Sequence, residues 1–339
     1  MDEMMDKKKV TIDDIARELQ VSKTTVSRAI SGKGRIGSAT REKVLKYIQE
    51  TNYKPNAVAK GLAQSKTYNI GFVMPGDYSL VDLPFFQECL VGVSEIASSY
   101  DYDVLISMVS ERDIHQLERV IDNHKVDGVI LTRTLVKDKP AEFLKSKGIP
   151  FVTIGTTLNK DVIQVDNDHR SACRELTGIL LMRGIRKMAL IGGNKSHVVT
   201  QKRLQGFKDA FLEQSCSPDN SLIYMDVENS VMIEKIVEEL IDRQVECVIC
   251  MDDSICTHVL NKLRKEKIRV PADIKVASFY NSSLLESNVP SITSLNFDVK
   301  EMGMITCKTL LDCMDGKTVH GRTLLGYEVS LKESTQNIL

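Results

Sequence analysis

A short stretch near the start of the chain carries side chains that can bind nucleic acid. Four basic or hydroxyl residues recur at helical spacing and would lie on one outer face of a short helix: Lys23, Thr24, Ser27 and Arg28. An arginine can donate two parallel hydrogen bonds to a guanine edge, and neighbouring side chains can reach other bases and phosphates. The spacing therefore predicts a helix whose first residues read the major groove of DNA.

Neighbouring elements must hold that helix in place. Thr11 and Asp14 form a capping box that opens a first helix, which carries an apolar stripe of Ile12, Ile15, Ala16 and Leu19. Ser22 is a good N-cap for the second helix, Lys23 to Ser31, whose Val26 and Ile30 face the same core.

A third helix completes the predicted module. Ser38 would cap it, and it would run from Ala39 to about Thr51 with Val44, Leu45 and Ile48 turned inward. Lys33, Arg35 and Arg41 would lie near phosphates and add affinity without sequence information. The plainer alternative is a small helical bundle with a charged surface. The coincidence of capping box, tight turn and basic helix start argues against it.

Net charge supports a division of the chain. Residues 1–66 hold 14 Lys and Arg against 8 Asp and Glu, or +6, whereas the remainder holds 31 against 38, or −7. A basic module on an acidic body is a common arrangement for a nucleic-acid binder with a regulatory domain.

Composition excludes several classes of protein. A chain of 339 residues suits two or three domains, and no apolar run approaches the ~20 residues that a membrane span needs. The charged start lacks the apolar segment of a secretory signal, so we expect a cytosolic protein with no membrane partner. Neither H-E-x-x-H nor G-x-S-x-G occurs, and no paired acid–base motif supports catalysis, so we predict no enzymatic activity and no cofactor.

The eight cysteines predict no metal site. Cys247 and Cys250 form a C-x-x-C, but they lie in an apolar run that reads as a buried strand. Residues three apart on a strand point to opposite faces, so these two thiols cannot share a metal. Reduced, packed thiols are expected throughout.

The body after residue 66 alternates short apolar runs with amphipathic segments, which is typical of parallel sheets with helices on both faces. There are too many strands for one sheet, so we predict two lobes with a ligand cleft between them. Predicted strands are Asn69–Met74, Tyr102–Val109, Gly128–Leu131, Pro150–Ile154, Val162–Val165, Met188–Ile191, Cys247–Met251 and Lys275–Phe279. Predicted helices are Phe85–Ser99, Asp113–Lys125, Ala172–Met182, Lys202–Gln214, Val231–Arg243 and Ile255–Lys267.

The chain resembles the lactose-repressor (LacI/GalR) family of bacterial transcription regulators. The resemblance is carried by the segments starting at Val10 (V-T-I-D-D-I-A-R), Val21 (V-S-K-T-T-V-S-R), Thr40 (T-R-E-K-V) and Asn52 (N-Y-K-P-N-A-V-A). In the body it is carried by segments starting at Ile70, Pro84, Val126, Val165, Arg203, Pro290 and Glu301. It implies an α-helical helix-turn-helix headpiece followed by a two-lobed α/β effector domain related to periplasmic sugar-binding proteins.

The resemblance implies a set of DNA contacts in which Lys23, Thr24 and Arg28 read bases. The full set that we predict is Thr11, Ser22, Lys23, Thr24, Thr25, Ser27, Arg28, Arg35, Asn56, Ala59 and Leu62. Asn56 can cap a hinge helix from Ala57 to about Ala63, which is too short to be stable alone and is weakened by Gly61. In the family this helix forms against its partner on DNA, which places Leu62 as a minor-groove wedge.

The same resemblance divides the chain. Residues 1–55 would form the DNA-binding domain, 56–66 the hinge and linker, and 67–339 the effector and dimerisation domain. Lobe one would contain about 67–167 and 297–325, and lobe two about 168–296 and 326–339. The tail lacks a leucine heptad array, so we expect a homodimer, with Leu284 and Leu285 as interface residues.

The predicted effector contacts are Phe85, Thr132, Arg203, Asp252, Tyr280 and Phe297. Arg203 would open a helix after the strand Met188–Ile191 and bind ring hydroxyls or a carboxylate. This chain departs from the family in two places. Tyr280-Asn281 stands where many members have Asp, and Gly155 stands where the lactose repressor has an aspartate. Tyr280 would then stack on the C–H face of a sugar.

The leading hypothesis is a repressor that binds a pseudo-palindromic DNA operator and is controlled by a small molecule, with a carbohydrate as the favoured class. One alternative keeps the DNA module but changes the trigger to a purine or to a phosphorylated carrier protein, as in the family's catabolite-control members. Another is a sugar-binding protein without a role on DNA, which the complete DNA module argues against.

Overall fold

The computed structural model describes residues 10–32, 34–53, 61, 64–77, 84–159 and 161–336. It divides into two compact units, the first ending at Thr67 and the second beginning at Tyr68. We refer to the described part of the first unit as the headpiece and to the second as the body.

Three helices make the headpiece: α1 (Ile12–Glu18), α2 (Lys23–Ser31) and α3 (Ser38–Thr51). Their apolar faces meet in one small core, which confirms the amphipathic pattern read from the sequence. Ile15, Val26 and Val44 are fully buried there, and Tyr47, Ile48 and Tyr53 pack around them.

Hydrogen bonds at the helix starts fix the ends of α1 and α2. The Asp14 amide donates to the Thr11 hydroxyl at 3.3 Å, and the Thr11 amide donates to the Asp14 carboxylate at 3.0 Å. The Thr25 amide donates to the Ser22 hydroxyl at 3.1 Å. Both predicted caps are therefore confirmed.

The third helix differs from its prediction in two respects. Gly37 occupies the N-cap position and Ser38 is already helical, so the predicted Ser38 cap is wrong. Leu45 is 42% exposed, because the inward positions are taken by Val44 and Ile48 on the adjacent helical face. The helix ends at Thr51, as predicted, and Asn52 with its left-handed φ of 50° forms the C-cap.

The first sheet of the body is parallel throughout. Its strands are β1 (Asn69–Pro75), β2 (Asp103–Val109), β3 (Gly128–Leu131), β4 (Phe151–Ile154), β5 (Ile163–Asn167) and β11 (Arg322–Leu325). They follow the order β11-β5-β4-β3-β1-β2. Helices connect the first four strands in chain order, whereas the described residues between β4 and β5 contain no helix.

The second sheet repeats this plan with one antiparallel strand. Its order is β12-β10-β9-β8-β6-β7, and only the β10–β12 pairing is antiparallel among the described residues. The strands are β6 (Met188–Ile191), β7 (Ile223–Tyr224), β8 (Cys247–Cys250), β9 (Lys275–Ser278), β10 (Thr293–Asn296) and β12 (Glu328–Ser330).

Helices cover both faces of each sheet, which confirms the predicted fold class. They are α4 (Pro84–Ser99), α5 (His115–Asp122), α6 (Lys139–Lys147), α7 (His169–Met182), α8 (Val198–Glu213), α9 (Ser230–Asp242), α10 (Asp253–Lys265), α11 (Ser283–Glu286) and α12 (Val299–Met314). The sheets bury four separate apolar clusters, one against each face. Cys247 and Cys250 fall in different clusters, as predicted for residues three apart on one strand.

Glycines allow two helices of lobe one to approach closely. A Cβ at Gly92 of α4 would collide with the Lys300 carbonyl of α12, and one at Gly303 would collide with the Cys89 carbonyl. The two glycines thus let the helix axes come near enough for backbone contact. The helices predicted from the sequence did not include α6, α11 or α12.

The chain passes between the sheets three times. It leaves the first sheet after β5, returns after β10 by way of α12, and leaves again between β11 and β12. Because these passages gather at the carboxyl ends of β5 and β10, they lie beside the cleft where open α/β sheets bind ligands.

Candidate functional sites

The start of α2 presents the predicted DNA-reading side chains to solvent. Lys23, Thr24, Ser27 and Arg28 are exposed, as are Ser22, Thr11 and Arg35, whereas Thr25 is half-buried. The Ser22 hydroxyl accepts a hydrogen bond from the Thr25 amide, and its oxygen lies 2.8 Å from the hydroxyl oxygen of Thr25. The cap therefore orders the helix start while the reading face stays open.

Two of these side chains have intramolecular neighbours. The Lys23 ammonium lies 2.5 Å from Asp13, and both side chains are largely exposed, so the pair is open to competition by a phosphate. The Arg28 side chain runs along Gly34, whose φ is +90° and where a Cβ would approach Arg28 Cδ to 3.2 Å. Gly34 thus leaves room for the guanidinium stem.

Four predicted DNA contacts, Lys33, Asn56, Ala59 and Leu62, lie outside the described residues. The same holds for most of the predicted hinge helix, 57–63, of which only Gly61 is described.

Aromatic rings from both lobes meet at the cleft. Tyr280, which follows β9, is only 5% exposed and contacts Phe85 of α4 edge to face, with ring centroids 6.0 Å apart. It also stacks on Phe297 at 6.3 Å and 14°, and Phe297 lies 4.8 Å from the His169 ring. The structure therefore brings together Phe85, Tyr280 and Phe297, as predicted from the resemblance.

Arg203 lies in the second turn of α8 rather than at its start, because the helix begins at Val198. That corrects the predicted position by about one turn. Its Nη1 donates to the Met251 carbonyl at the end of β8. Its Nε is buried and has no hydrogen-bond partner among the described residues. The guanidinium is thus anchored at one end and has an unused donor.

Asp252 and Thr132 have structural partners of their own. Asp252 caps α10 by accepting a hydrogen bond from the Ile255 amide at 2.8 Å, and burial raises the pKa of its carboxyl. The Thr132 hydroxyl donates to the Val73 carbonyl at 2.6 Å and is 3% exposed. The Thr132 hydroxyl is therefore already used in a hydrogen bond to a strand of the first sheet.

The aspartate that the lactose repressor has at the Gly155 position would not fit here without rearrangement. Gly155 has a φ of +106°, and a Cβ there would come within 2.9 Å of the Thr134 hydroxyl. The departure from the family is thus tied to local backbone geometry.

Three polar residues at the end of β5 escaped the sequence prediction. Asp166 accepts hydrogen bonds from the Thr156 amide and hydroxyl at 2.7 and 2.6 Å, and it lies 3.5 Å from His169 Nε2. Asn167 Oδ1 and His169 Nδ1 are buried and have no partner among the described residues. Burial and the positive charge of Arg203 hold the pKa of His169 well below its usual value.

Asn296 and Asp253 extend this polar group. Asn296 ends β10, and its buried Oδ1 has no partner in the described part of the chain. Asp253 is 6% exposed and accepts a hydrogen bond from the Ser282 hydroxyl. The run Val165-Asp-Asn-Asp168, in which polar residues end a buried strand, is the signal that could have identified part of this group.

A separate backbone contact joins the lobes at the rim of the cleft. Leu135 and His197 form an antiparallel bridge, in which the Val136 amide donates to the Ser196 carbonyl at 2.9 Å and the Val198 amide to the Thr134 carbonyl at 3.1 Å. We call this contact the rim bridge.

Glu111 reinforces the rim bridge with its side chain. It accepts a hydrogen bond from Asn194 Nδ2 at 2.6 Å and lies 3.5 Å from His197 Nε2. Burial and nearby Arg133, itself paired with Asp77 at 2.8 Å, lower the pKa of His197, while Glu111 opposes that shift. The rim bridge is therefore a polar contact with a neutral histidine at neutral pH.

The predicted interface residues differ in accessibility. Leu285 is 2% exposed and belongs to a buried cluster of lobe two, so its prediction as an interface residue is wrong. Leu284 lines a surface cavity of about 430 Å³, next to Val289, which is 84% exposed.

Within the part of the chain that the structure describes, no helix is both long enough and apolar enough to cross a membrane. No cluster of three or more His, Cys, Asp or Glu side chains in the described ranges could hold a metal ion.

Two family models match the chain. The model described as bacterial regulatory proteins of the lacI family matches residues 11–56, and the periplasmic binding protein-like domain matches residues 177–335. The first match covers α1 to α3, and the second covers most of lobe two and the return passages.

Full-length relatives are similar over nearly the whole chain. Catabolite control protein A of Staphylococcus epidermidis is 29% identical over 332 residues, which cover 96% of this chain and 99% of the relative. The Staphylococcus xylosus protein of the same name is 27% identical with the same coverage.

Solved structures show the same architecture. The transcriptional regulator CelR–cellobiose complex has a TM-score of 0.73 at 28% identity, covering 96% of this chain and 99% of that one. The lac repressor dimer bound to operator and the anti-inducer ONPF has a TM-score of 0.80 at 22% identity, covering 97% and 100%. The solved structures thus show the same fold. The two family-model matches and the full-length relatives, together with the capped, exposed α2, place the chain in the LacI/GalR family of DNA-binding bacterial transcription regulators.

Proposed function

We propose that this regulator represses transcription by binding a pseudo-palindromic operator as a homodimer, and that a small carbohydrate controls its affinity for that operator. The observation that carries the proposal is the start of α2, where a capped helix presents Lys23, Thr24 and Arg28 to solvent. A symmetric dimer matches a palindromic site because each subunit reads one half of it.

Base reading and phosphate binding divide among the exposed residues of the headpiece. Lys23, Thr24 and Arg28 would contact base edges, and Arg35 would contact a phosphate. Thr11, Ser22, Thr25 and Ser27 would hydrogen-bond to the backbone of the duplex. Asn56, Ala59 and Leu62 would act in the hinge, where Leu62 would enter the minor groove.

The effector would bind at the aromatic and polar groups between the lobes. Arg203 supports this assignment because its Nε is a buried donor without a partner in the described residues. Phe85, Tyr280 and Phe297 would supply the apolar wall, and Asp252 would accept from a hydroxyl. Thr132 would shape the cleft from lobe one. The cellobiose complex of a relative 28% identical in sequence favours a sugar as the ligand.

Control would act on the hinge and leave α2 unchanged. We propose residues 1–55 as the DNA-binding domain, 56–66 as the hinge and linker, and 67–339 as the effector domain with the lobe boundaries predicted above. A hinge that folds only against its partner on DNA couples operator binding to the spacing of the two bodies. As a DNA-binding regulator, the protein would work in the cytoplasm.

The test combines operator selection with an effector screen. Random-sequence selection with the full-length protein should yield a two-fold symmetric site, and a sugar that raises the thermal stability of the protein should change affinity for that site. Arg203→Ala should keep operator affinity within about twofold and lose the sugar response. Arg174→Ala removes an exposed arginine that pairs with Glu213, and it should behave as wild type.

A second candidate trigger follows from the similarity to catabolite control protein A. Here a phosphorylated carrier protein, or a purine, would replace the sugar. The same binding assay distinguishes the triggers. If the carrier protein or a purine alters operator affinity and no sugar in the panel does, the sugar assignment fails and the repressor assignment stands.

A further inference from the structure

The side chains between the two sheets are closed off from solvent. Thr132 is 3% exposed and Tyr280 is 5% exposed. Tyr280 follows β9 of the second sheet, yet its ring packs within the apolar cluster of the first sheet that contains Phe72 and Met302. A small molecule cannot reach side chains with so little accessible surface, so entry into the cleft requires the two lobes to move apart.

The rim bridge opposes that movement. Its two main-chain hydrogen bonds, and the bond between Glu111 and Asn194, join segments that belong to different sheets. Glu111 follows β2 and residues 134–136 follow β3 of the first sheet, whereas residues 194–198 follow β6 of the second. Separation of the lobes at this rim must therefore break all three hydrogen bonds.

Side chains on each side hold the two segments in shape. The Asp138 carboxylate accepts from the Leu135 amide at 3.2 Å and from the Ala141 amide at 3.1 Å, so it also caps α6. Across the rim, the side-chain oxygen of Asn194 accepts from the Ser196 amide at 2.7 Å. Because each segment is ordered by contacts with its own neighbours, formation of the rim bridge requires little further loss of conformational freedom.

We propose that the rim bridge is a latch that keeps the body closed before any effector binds, and that this latch must open for a ligand to enter the cleft. Each of its hydrogen bonds should shift the balance between open and closed forms by roughly 2- to 12-fold. The inference rests on the proposed function only where it concerns ligand entry. The latch itself can be tested without a ligand.

Hydrogen exchange at one amide reports the latch directly. Val198 is the first residue of α8, so its amide has no partner within the helix and depends on the Thr134 carbonyl across the rim. In ligand-free, full-length protein this amide should be protected. Glu111→Ala removes the acceptor of Asn194 and should speed its exchange by roughly 2- to 12-fold.

Glu118→Ala is the matched control, because it removes a glutamate of α5 that pairs with His115 and not with the second sheet. Exchange of the Val198 amide should be the same in this variant as in the wild type. An unprotected Val198 amide in the wild type, or equal exchange in all three proteins, overturns the latch.

Cross-linking provides a second test. The two main-chain bonds flank Leu135 and His197, which are therefore a non-hydrogen-bonded pair with Cα atoms about 4.5 Å apart, within reach of a disulfide. Diamide, which takes up the two thiol hydrogens, should cross-link ligand-free Leu135→Cys/His197→Cys. Val136→Cys/His197→Cys directs one thiol to the opposite face and should cross-link at least about tenfold more slowly. Equal rates overturn the latch.

The cross-linked protein then tests ligand entry. A sugar that stabilises the reduced Leu135→Cys/His197→Cys variant should bind its oxidised form at least about tenfold more slowly, and dithiothreitol should restore the rate. Unchanged binding by the oxidised form overturns the role of the latch in entry. If no sugar binds the reduced protein, the carbohydrate assignment fails, whereas exchange and cross-linking still decide whether the latch exists.

Discussion

The headpiece and the cleft position their candidate functional side chains in opposite ways. The residues predicted to read DNA lie on one helix of nine residues, are exposed, and owe their position to two local caps. The cleft residues come from segments between Phe85 and Phe297, are largely buried, and depend on two complete sheets. A local site can be altered with little effect on the fold, whereas the buried site cannot be separated from the stability of the body.

The sharpest test of that contrast is Arg28→Ala. If Arg28 makes a two-pronged contact with guanine, its loss should weaken operator binding by ~1–3 kcal/mol, or roughly 5- to 150-fold, and relax the preference at one base pair. Sugar affinity and thermal stability should stay as in wild type. Titrations on operator duplexes that vary each position measure both effects.

Arg17→Ala is the matched control for charge. Arg17 lies on α1, is 79% exposed and pairs with Asp14. Its removal should lower affinity slightly and equally on every duplex. Equal losses for both variants across all sequences would show that Arg28 contributes charge alone.

Acidification should affect the two regions differently. All six histidines lie in the body, because residues 1–67 contain none. Burial lowers the pKa of His169 and His197 in the folded state, so below about pH 6.5 the unfolded chain binds protons that the native body does not. Stability of the body should therefore be fully present above that pH and fall as the pH drops, by up to ~1.4 kcal/mol per pH unit for each histidine.

Hydrogen exchange between pH 7.5 and 6.0, corrected for the intrinsic rate, reports the two regions separately in the intact protein. Peptides from α7 and α8 should lose protection, and those from α1 to α3 should keep theirs. His169→Asn should reduce the loss. A parallel loss of protection in peptides from the headpiece would contradict the attribution of the pH effect to buried histidines of the body.

The smallest expected effect is that of Thr11→Ala. It removes one half of the capping box and should destabilise the headpiece by ~1 kcal/mol, or about fivefold in the opening equilibrium. Thr11→Ser keeps the hydroxyl and should restore most of the protection of α1. The protection of peptides from the body should not change in either variant. A change in their protection would mean that the two regions share one unfolding transition.

Sequence patterns predicted the headpiece nearly to the residue because its signals are local. The capping box at Thr11, the cap at Ser22 and the bounds of α2 all agree with the structure. The errors at Ser38 and Leu45 arose where adjacent positions compete for one role. Gly37 rather than Ser38 takes the cap, and Leu45 lies beside the inward-facing Val44.

The cleft was predicted less completely because its members are set by tertiary contacts. Arg203, Phe85, Tyr280 and Phe297 entered through family resemblance, and periodicity alone would have assigned the rings to the core. Asn167 and Asn296 end strands of different sheets, and the contact between the rings of His169 and Phe297, 4.8 Å apart, shows that these strand ends meet. No local sequence pattern encodes that contact. The rim bridge between Leu135 and His197 is likewise invisible in sequence, since neither residue stands in a motif.

The three passages of the chain between the sheets also constrain the order of assembly. The headpiece core is complete once Tyr53 has been synthesised. The first sheet, by contrast, has its covering helix α12 and its last strand β11 only after Leu325 has been synthesised. Contacts over such sequence separations form slowly, because loop closure precedes the stabilising contacts. The headpiece should therefore fold during synthesis well before the body. A nascent chain would then already have its recognition helix α2 but would not yet have the completed cleft for its effector.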